Sequence, residues 1–321
     1  MAGRAMISIN PPPSQSAIDA FNGASFAGVR SIGPLPRNDD IMRLLPASLA
    51  LIAVLSLPAI ATAGESVVTL DGGVAGTLNL PDGATSAPAV LMLHGFGSSR
   101  DEVGSMYARE AAALAKEGIA SLRIDFRGFG KSDGDTGATT IDGQLADAKA
   151  AAAYLASQKG IDPQRLGMIG FSLGGGVATL LAGEEPDRFK SLVTWSSVGD
   201  FSKDMKGSIG AKAIATAETE GVVGLDLGWR TIVLKKGFFD SLETHKIDKA
   251  IATYPGAYLA IAGSKDFSAA YPEGFAKLAK GETKEVWIVP EGDHIFGSLG
   301  DDQTMADSVI AKTAAWFKKT L

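Results

Sequence analysis

At 321 residues the chain is long enough for one large domain with a buried core, and its 45% hydrophobic and 21% charged residues are ordinary for a soluble globular protein. A net charge of −6, without a block of Lys or Arg, leaves no electrostatic footprint for nucleic acid or an anionic membrane surface. The absence of cysteine excludes disulfides, thiolate metal sites and cysteine nucleophiles, and His94, His245 and His294 are the whole supply of imidazole bases.

Residues 1–41 contain scattered Pro, Ser and Gly and no periodicity. They are expected to be a disordered leader, or a stretch upstream of a natural start at Met42. From Met42 the chain reads Met-Arg, then an apolar run from Leu44 to Leu57, then Ala61-Thr62-Ala63. These are the three regions of a secretory signal peptide, expected over 42–63. The apolar run is short and holds Pro46 and Pro58, which argues against a spanning helix. The mature domain, 64–321, is therefore expected to be exported, periplasmic or secreted, and to carry no integral span once the signal is removed.

Alternation from Val67 to Leu80 around Asp71-Gly72-Gly73 predicts a hairpin. Ala89 to Leu93 is a buried strand running into His94-Gly95-Phe96-Gly97, and a helix is expected from Ser105 to Lys116. Strand-like residues Ile119 to Phe126 precede the loop Arg127-Gly128-Phe129-Gly130, and Ile141 to Gln158 is an Ala-rich helix. Leu166 to Phe171 is a strand, and Ser172 to Ala182 a helix opened by glycines. Further strands are expected at Ser191–Trp195, Ala257–Ala262 and Glu285–Val289, before an amphipathic helix from Gln303 to Lys319. Strands alternating with helices imply a mostly parallel sheet covered on both faces, with the first hairpin as an antiparallel edge. The stretch 197–254 shows no clean strand–helix unit. It reads as a lid-like insertion over the carboxyl edge of the sheet, where ligands of α/β folds bind.

Gly170-Phe171-Ser172-Leu173-Gly174 matches G-x-S-x-G. A serine on a sharp strand-to-helix turn needs small neighbours, and its oxygen then stands at a helix N-terminus that favours developing negative charge. Gly130-Lys131-Ser132-Asp133-Gly134 matches too, but no helix follows it directly, so Ser172 is the candidate nucleophile. Gly130-Lys131-Ser132 is not a phosphate loop either, because Asp125 stands where that motif needs glycine.

A serine hydroxyl needs a base. His294 follows the last strand in Pro290-Glu291-Gly292-Asp293-His294. His94 reads as a brace in its glycine loop, and His245 as a solvated surface residue. The orienting acid is expected between serine and base in chain order. Asp266, in Gly263-Ser264-Lys265-Asp266 just past a buried strand, fits. Asp240 and Asp248 lie in the insertion, Asp293 is too close in sequence to reach the ring of His294, and Asp125 is expected to brace the Arg127-Gly128 loop. Leu173 and Phe96 are expected to supply the backbone N–H groups of an oxyanion hole.

These blocks, in this order, resemble the α/β-hydrolase superfamily from about Val67 to the C-terminus. Within it the chain is similar to the branch of dienelactone-hydrolase-related and feruloyl (cinnamoyl) esterase-like proteins. The stretch with Gly228-Trp229 and Phe238-Phe239 resembles their small lid. Phe267-Ser268-Ala269-Ala270 departs from the valine such esterases often carry soon after the acid. The resemblance implies an α/β-hydrolase fold and a serine esterase acting on a small-molecule carboxylic ester, with no cofactor and no metal. Alternatives are an exopeptidase or amidase of the same fold, or a non-catalytic binding protein built on it. Trp229, Phe238 and Phe239 either cover an apolar acyl group or pack the insertion onto the sheet.

Overall fold

The computed structural model describes residues 30–32 and 64–321. The signal segment expected at 42–63 lies outside the described residues. Eight strands form the main sheet: β2 (Glu65–Leu70), β3 (Val74–Asn79), β4 (Ala87–Leu93), β5 (Ala120–Ile124), β6 (Ile161–Phe171), β7 (Phe189–Trp195), β10 (Ala257–Gly263) and β11 (Lys284–Val289). Their spatial order is β11-β10-β7-β6-β4-β5-β3-β2. Within this sheet β5, β4, β6, β7, β10 and β11 pair in parallel with one another; β2 and β3 form the antiparallel edge.

The helices cover both faces, as the alternating pattern requires. On one face lie α2 (Ile141–Ser157) and α3 (Leu173–Glu184). α2 buries Ile141, Leu145, Ala148, Ala152 and Leu155, a stripe at helical spacing. Thr140 starts it by accepting the Gly143 N–H on its side chain. Removing each large aliphatic chain of this stripe from water contributes about 1.5–3 kcal/mol. The other face carries α1 (Met106–Lys116) and α9 (Thr304–Thr320). There the Trp195 indole donates to Thr313 Oγ1 at 2.9 Å, and the Trp316 indole to Ser191 Oγ at 2.9 Å, so these bulky buried rings leave no polar group unsatisfied.

β6 starts five residues earlier than the apolar run suggests, at Ile161. Its polar first half pairs irregularly, with the β4 register shifting between Ala87 and Ala89, so apolar content alone does not reveal it. The insertion differs more. It folds into α4 (Phe201–Ile209), α5 (Ala211–Glu220), the antiparallel hairpin β8 (Val222–Asp226) and β9 (Thr231–Lys235), α6 (Lys236–Ser241) and α7 (Ile247–Ile251). Gly210, at φ +90°, breaks α4 from α5. Each element is too short to leave a long periodic signal. β1 (Arg30–Ile32), within the stretch expected to be a leader, pairs antiparallel with β8. α8 (Pro272–Leu278) packs beside β10 and β11. Among the described residues no helix is long and apolar enough to cross a membrane.

Chain order explains where a site can form. The path runs from β4 outward to β5, then returns to place β6 on the other side of β4. That reversal opens a crevice at the carboxyl ends of β4 and β6. Leu93, the last residue of β4, is in register with Gly170, so the loops after both strands emerge side by side.

Candidate active site

Ser172 follows β6 directly and precedes α3, with φ 53° and ψ −119°. A non-glycine residue at positive φ costs free energy, and it persists only where the surroundings hold it. Here the Ser172 N–H donates to the Trp195 carbonyl at 2.9 Å, and the Ser172 carbonyl accepts from Gly175 at 3.0 Å and Val198 at 3.2 Å. The flanking glycines are a packing requirement. A Cβ at Gly170 would overlap the Gly174 carbonyl, and one at Gly174 would overlap the carbonyls of Leu93 and His94.

His294 Nε2 lies 3.0 Å from Ser172 Oγ. Its Nδ1 lies 3.0 Å from Asp266 Oδ1, an ion-pair approach that is bent away from a linear hydrogen bond. Such contacts are often poorly aligned in a free enzyme and straighten when substrate binds. The loops bearing acid and base are joined by their backbones: Ser264 N–H donates to Val289 O at 2.9 Å and Lys265 N–H to Gly292 O at 2.8 Å. The imidazole is held between two rings, Phe267 stacked on it at 5.4 Å and Phe171 tilted against it at 5.1 Å.

Asp266 is buried. Burial alone pushes its carboxyl up, but the close approach of the His294 ring and the hydrogen bonds from Ser268 outweigh it, so the group sits below its ordinary value. The Ser268 hydroxyl donates to Asp266 Oδ2. It leaves Oδ1 to face the imidazole.

The remaining candidates take other places. Ser132 Oγ donates to Asp125 O at 2.5 Å and accepts the Ala75 N–H at 2.8 Å, so it ties a loop to β3. Asp125 accepts from Arg100 through both carboxylate oxygens and from the Lys131 N–H at 2.8 Å. It does brace its loop, but through Lys131; the Arg127 N–H goes to Asp147 instead. His94 accepts the Phe126 N–H on Nε2 at 3.0 Å, which fixes the tautomer that donates from Nδ1 to Gly95 O at 2.8 Å. His245 is less solvated than its setting suggests: it meets Asp142 at 3.0 Å. Asp293 accepts the Ile295 and Gly297 N–H groups, and Asp240 meets Lys236.

Phe96 is buried just past β4, and Leu173 opens α3 immediately after Ser172. The Phe96 ring stacks on Phe238 at 5.7 Å. Phe238 and Phe239 are both buried in the core, so their rings pack the insertion onto the sheet. Trp229 is different. Half-buried at the β8–β9 turn, it donates its indole N–H to Gly97 O at 3.3 Å, beside Arg230, which reaches the same carbonyl at 3.5 Å. Among the described residues no cluster of His, Asp and Glu is arranged to hold a metal ion.

A family model described as the alpha/beta hydrolase fold matches residues 88–215, from β4 through the proposed elbow into the insertion. This chain has the α/β-hydrolase fold. Among solved structures this hydrolase-fold chain is similar to Est1E of Butyrivibrio proteoclasticus, determined with ferulic acid bound: 20% identity, TM-score 0.65, covering 79% of this chain and 98% of that one. It is also similar to a dienelactone hydrolase from Anabaena variabilis, at 20% identity and TM-score 0.55 over 80% of this chain and 98% of that one. Among curated proteins it is 33% identical over 131 residues to an uncharacterized 31.7 kDa protein of Escherichia coli, covering 41% of this chain and 44% of that protein. It is 31% identical over 160 residues to the quorum-quenching protein AidA of Acinetobacter baumannii, covering 48% of this chain and 50% of AidA. The matches thus span half or less of these curated relatives.

Sequence reasoning did not find Phe171 and Phe267 as walls around the imidazole, nor Ser268 as the second partner of the acid. A hydroxyl two residues after Asp266 was the available signal for Ser268. The rings come from the end of β6 and from the turn after Asp266, far apart in the chain, and left none.

Proposed function

We propose that this protein is a serine hydrolase that cleaves carboxylic esters through an acyl-enzyme intermediate on Ser172. The observation that carries the reading is the relay Ser172–His294–Asp266, with successive contacts of 3.0 Å and 3.0 Å. Ser172 Oγ attacks the ester carbonyl carbon while its proton passes to His294 Nε2. The carbonyl oxygen becomes an oxyanion held by the N–H groups of Phe96 and Leu173. Asp266, kept ionised, stabilises the imidazolium. His294 then gives the proton to the departing alcohol oxygen as the C–O bond breaks. Water enters by the same route in reverse, His294 taking its proton, and releases the acid and the serine.

Est1E with ferulic acid bound and the dienelactone hydrolase support an ester or lactone as the substrate class. The partly exposed Trp229 beside the Phe96 loop supports an apolar or aromatic group on the substrate. The test is turnover of p-nitrophenyl acetate and butyrate beside a panel of peptide amides, with labelling by a fluorophosphonate. Ester turnover and labelling, both lost in Ser172→Ala, are expected. Equal turnover by wild type and Ser172→Ala would refute the assignment, and preference for the amides would move it to a peptidase.

A further inference from the structure

Glu102 stands outside the relay but against the loop that carries Phe96. It is buried, and its two carboxyl oxygens both lie 3.3 Å from the Gly95 N–H. Its backbone is at φ 61° and ψ 177°, a region that is essentially reserved for glycine. Gly104 and Ser105 follow at φ 58° and 55°. A glutamate is held in such a conformation only if its surroundings determine it. One restraint is the Glu102 N–H, which donates to Ser99 O at 2.9 Å; another is Tyr107, whose N–H reaches Asp101 O at 3.1 Å.

Gly95 is the joint between strand and nucleophile. A Cβ there would come 2.9 Å from the Phe171 ring and 3.2 Å from Ser172 Cβ. Its carbonyl accepts from His94 Nδ1 and from the Ser98 N–H. Two residues earlier, the Leu93 carbonyl accepts the Tyr107 hydroxyl at 3.0 Å. The contact at the Gly95 N–H is therefore one of several fastenings, and the one that Glu102 makes to the residue before Phe96. Any displacement of Gly95 moves the next residue, Phe96, relative to Ser172.

We infer that Glu102 is a positioning residue: by accepting the Gly95 N–H it closes the 95–102 loop on itself and fixes where the Phe96 N–H points. Burial pushes the Glu102 carboxyl up to about 8, against the pull of hydrogen bonds from Ser98 and Gly95. A carboxyl held largely neutral keeps an acceptor for the N–H without placing a full negative charge behind an oxyanion hole. The inference rests on the esterase reading for its catalytic consequence, but not for the bracing itself.

The experiment compares wild type, Glu102→Gln, Glu102→Leu and Ser172→Ala in two measurements. Amide hydrogen exchange of the peptide spanning 93–100 reads the brace directly. p-Nitrophenyl butyrate kinetics read its consequence. Glu102→Gln keeps an acceptor oxygen and should keep slow exchange and kcat within about threefold of wild type. Glu102→Leu keeps comparable bulk and loses the acceptor. It should speed exchange in that peptide and lower kcat roughly 100-fold, the scale of a lost oxyanion donor, with KM nearly unchanged. Wild-type exchange in Glu102→Leu overturns the brace, and so does equal loss in Gln and Leu; wild-type kcat in Glu102→Leu overturns its catalytic role. If wild type lacks Ser172-dependent turnover, it is the esterase reading that falls, and exchange still decides the brace.

Discussion

His294 Nε2 stands 3.0 Å from Ser172 Oγ while the opposite nitrogen of the same ring faces the buried carboxylate of Asp266. The imidazole is thereby asked to be a base on one side and an oriented donor on the other. Asp266→Asn should keep the fold and the ring position but offer the wrong partner to Nδ1. A fall in kcat on the order of 1,000- to 10,000-fold is expected, with little change in KM. Ser268→Ala should cost far less, because it removes one of several groups that hold the Asp266 carboxyl below its ordinary value. Steady-state kinetics of both variants check the order; an equal loss in both would place the acid's function on Ser268 instead.

Two serines share the pentapeptide pattern, and their surroundings separate them. Ser132 Oγ is engaged by Asp125 O and the Ala75 N–H, whereas Ser172 Oγ faces an imidazole. Ser132→Ala should therefore lower stability by about 1–3 kcal/mol, since it leaves the Ala75 N–H without its acceptor. Activity per folded molecule should stay. Denaturant melting beside active-site titration with a fluorophosphonate distinguishes this from a second nucleophile, for which labelling itself would drop.

Much of this arrangement was legible in the sequence because its causes are local. Ser172 could be picked out because an elbow this tight needs Gly170 and Gly174, and because an apolar strand precedes it and a helix follows. His294 followed from the scarcity of histidine, and Asp266 from its place after a buried strand between the other two. What stayed hidden depends on side-chain contacts that chain order does not announce: Phe171 at the end of β6 and Phe267 around the imidazole, or Glu102 folded back onto Gly95 within one loop. The insertion hid its hairpin for another reason. β8 and β9 are five residues each, and five residues carry too little alternation to stand out from their neighbours.

His94 gives a prediction about pH that does not involve catalysis. Burial pushes its imidazole down to about 4, with Arg230 adding to this and Asp125 and Gly95 opposing it. The neutral ring is needed, because Nε2 accepts the Phe126 N–H. Between about pH 4 and 6.5 the unfolded chain binds a proton here that the folded one refuses, so this residue makes stability rise with pH across that window. The contribution is about 3 kcal/mol in full. Glu102, raised to about 8, acts with the opposite sign over an overlapping range. The readout is therefore the difference between wild type and His94→Gln in urea midpoints at pH 4.5 and pH 7. The variant should be nearer to wild type at the lower pH; a constant gap would refute a neutral buried His94.

Trp229 tests whether the insertion takes part in recognising the substrate. Phe238 and Phe239 are buried, so changing either should destabilise the protein by about 3–5 kcal/mol without informing on specificity. Trp229 is half-buried, and its indole N–H bonds the Gly97 carbonyl next to the Phe96 loop. Its ring is thus close to the proposed oxyanion hole. In Trp229→Ala, discrimination between p-nitrophenyl esters of short and long acyl chains should change, with 10-fold or larger shifts in relative kcat/KM for the acyl length that meets the ring. Trp229→Phe retains an aromatic surface but not the N–H. It should preserve the preference while loosening the tie to Gly97, which would lower kcat evenly across the series. A specificity profile that stays parallel to wild type in both variants would assign Trp229 to packing alone, and the acyl group would then have to be recognised elsewhere, beside Phe267 and the acid loop.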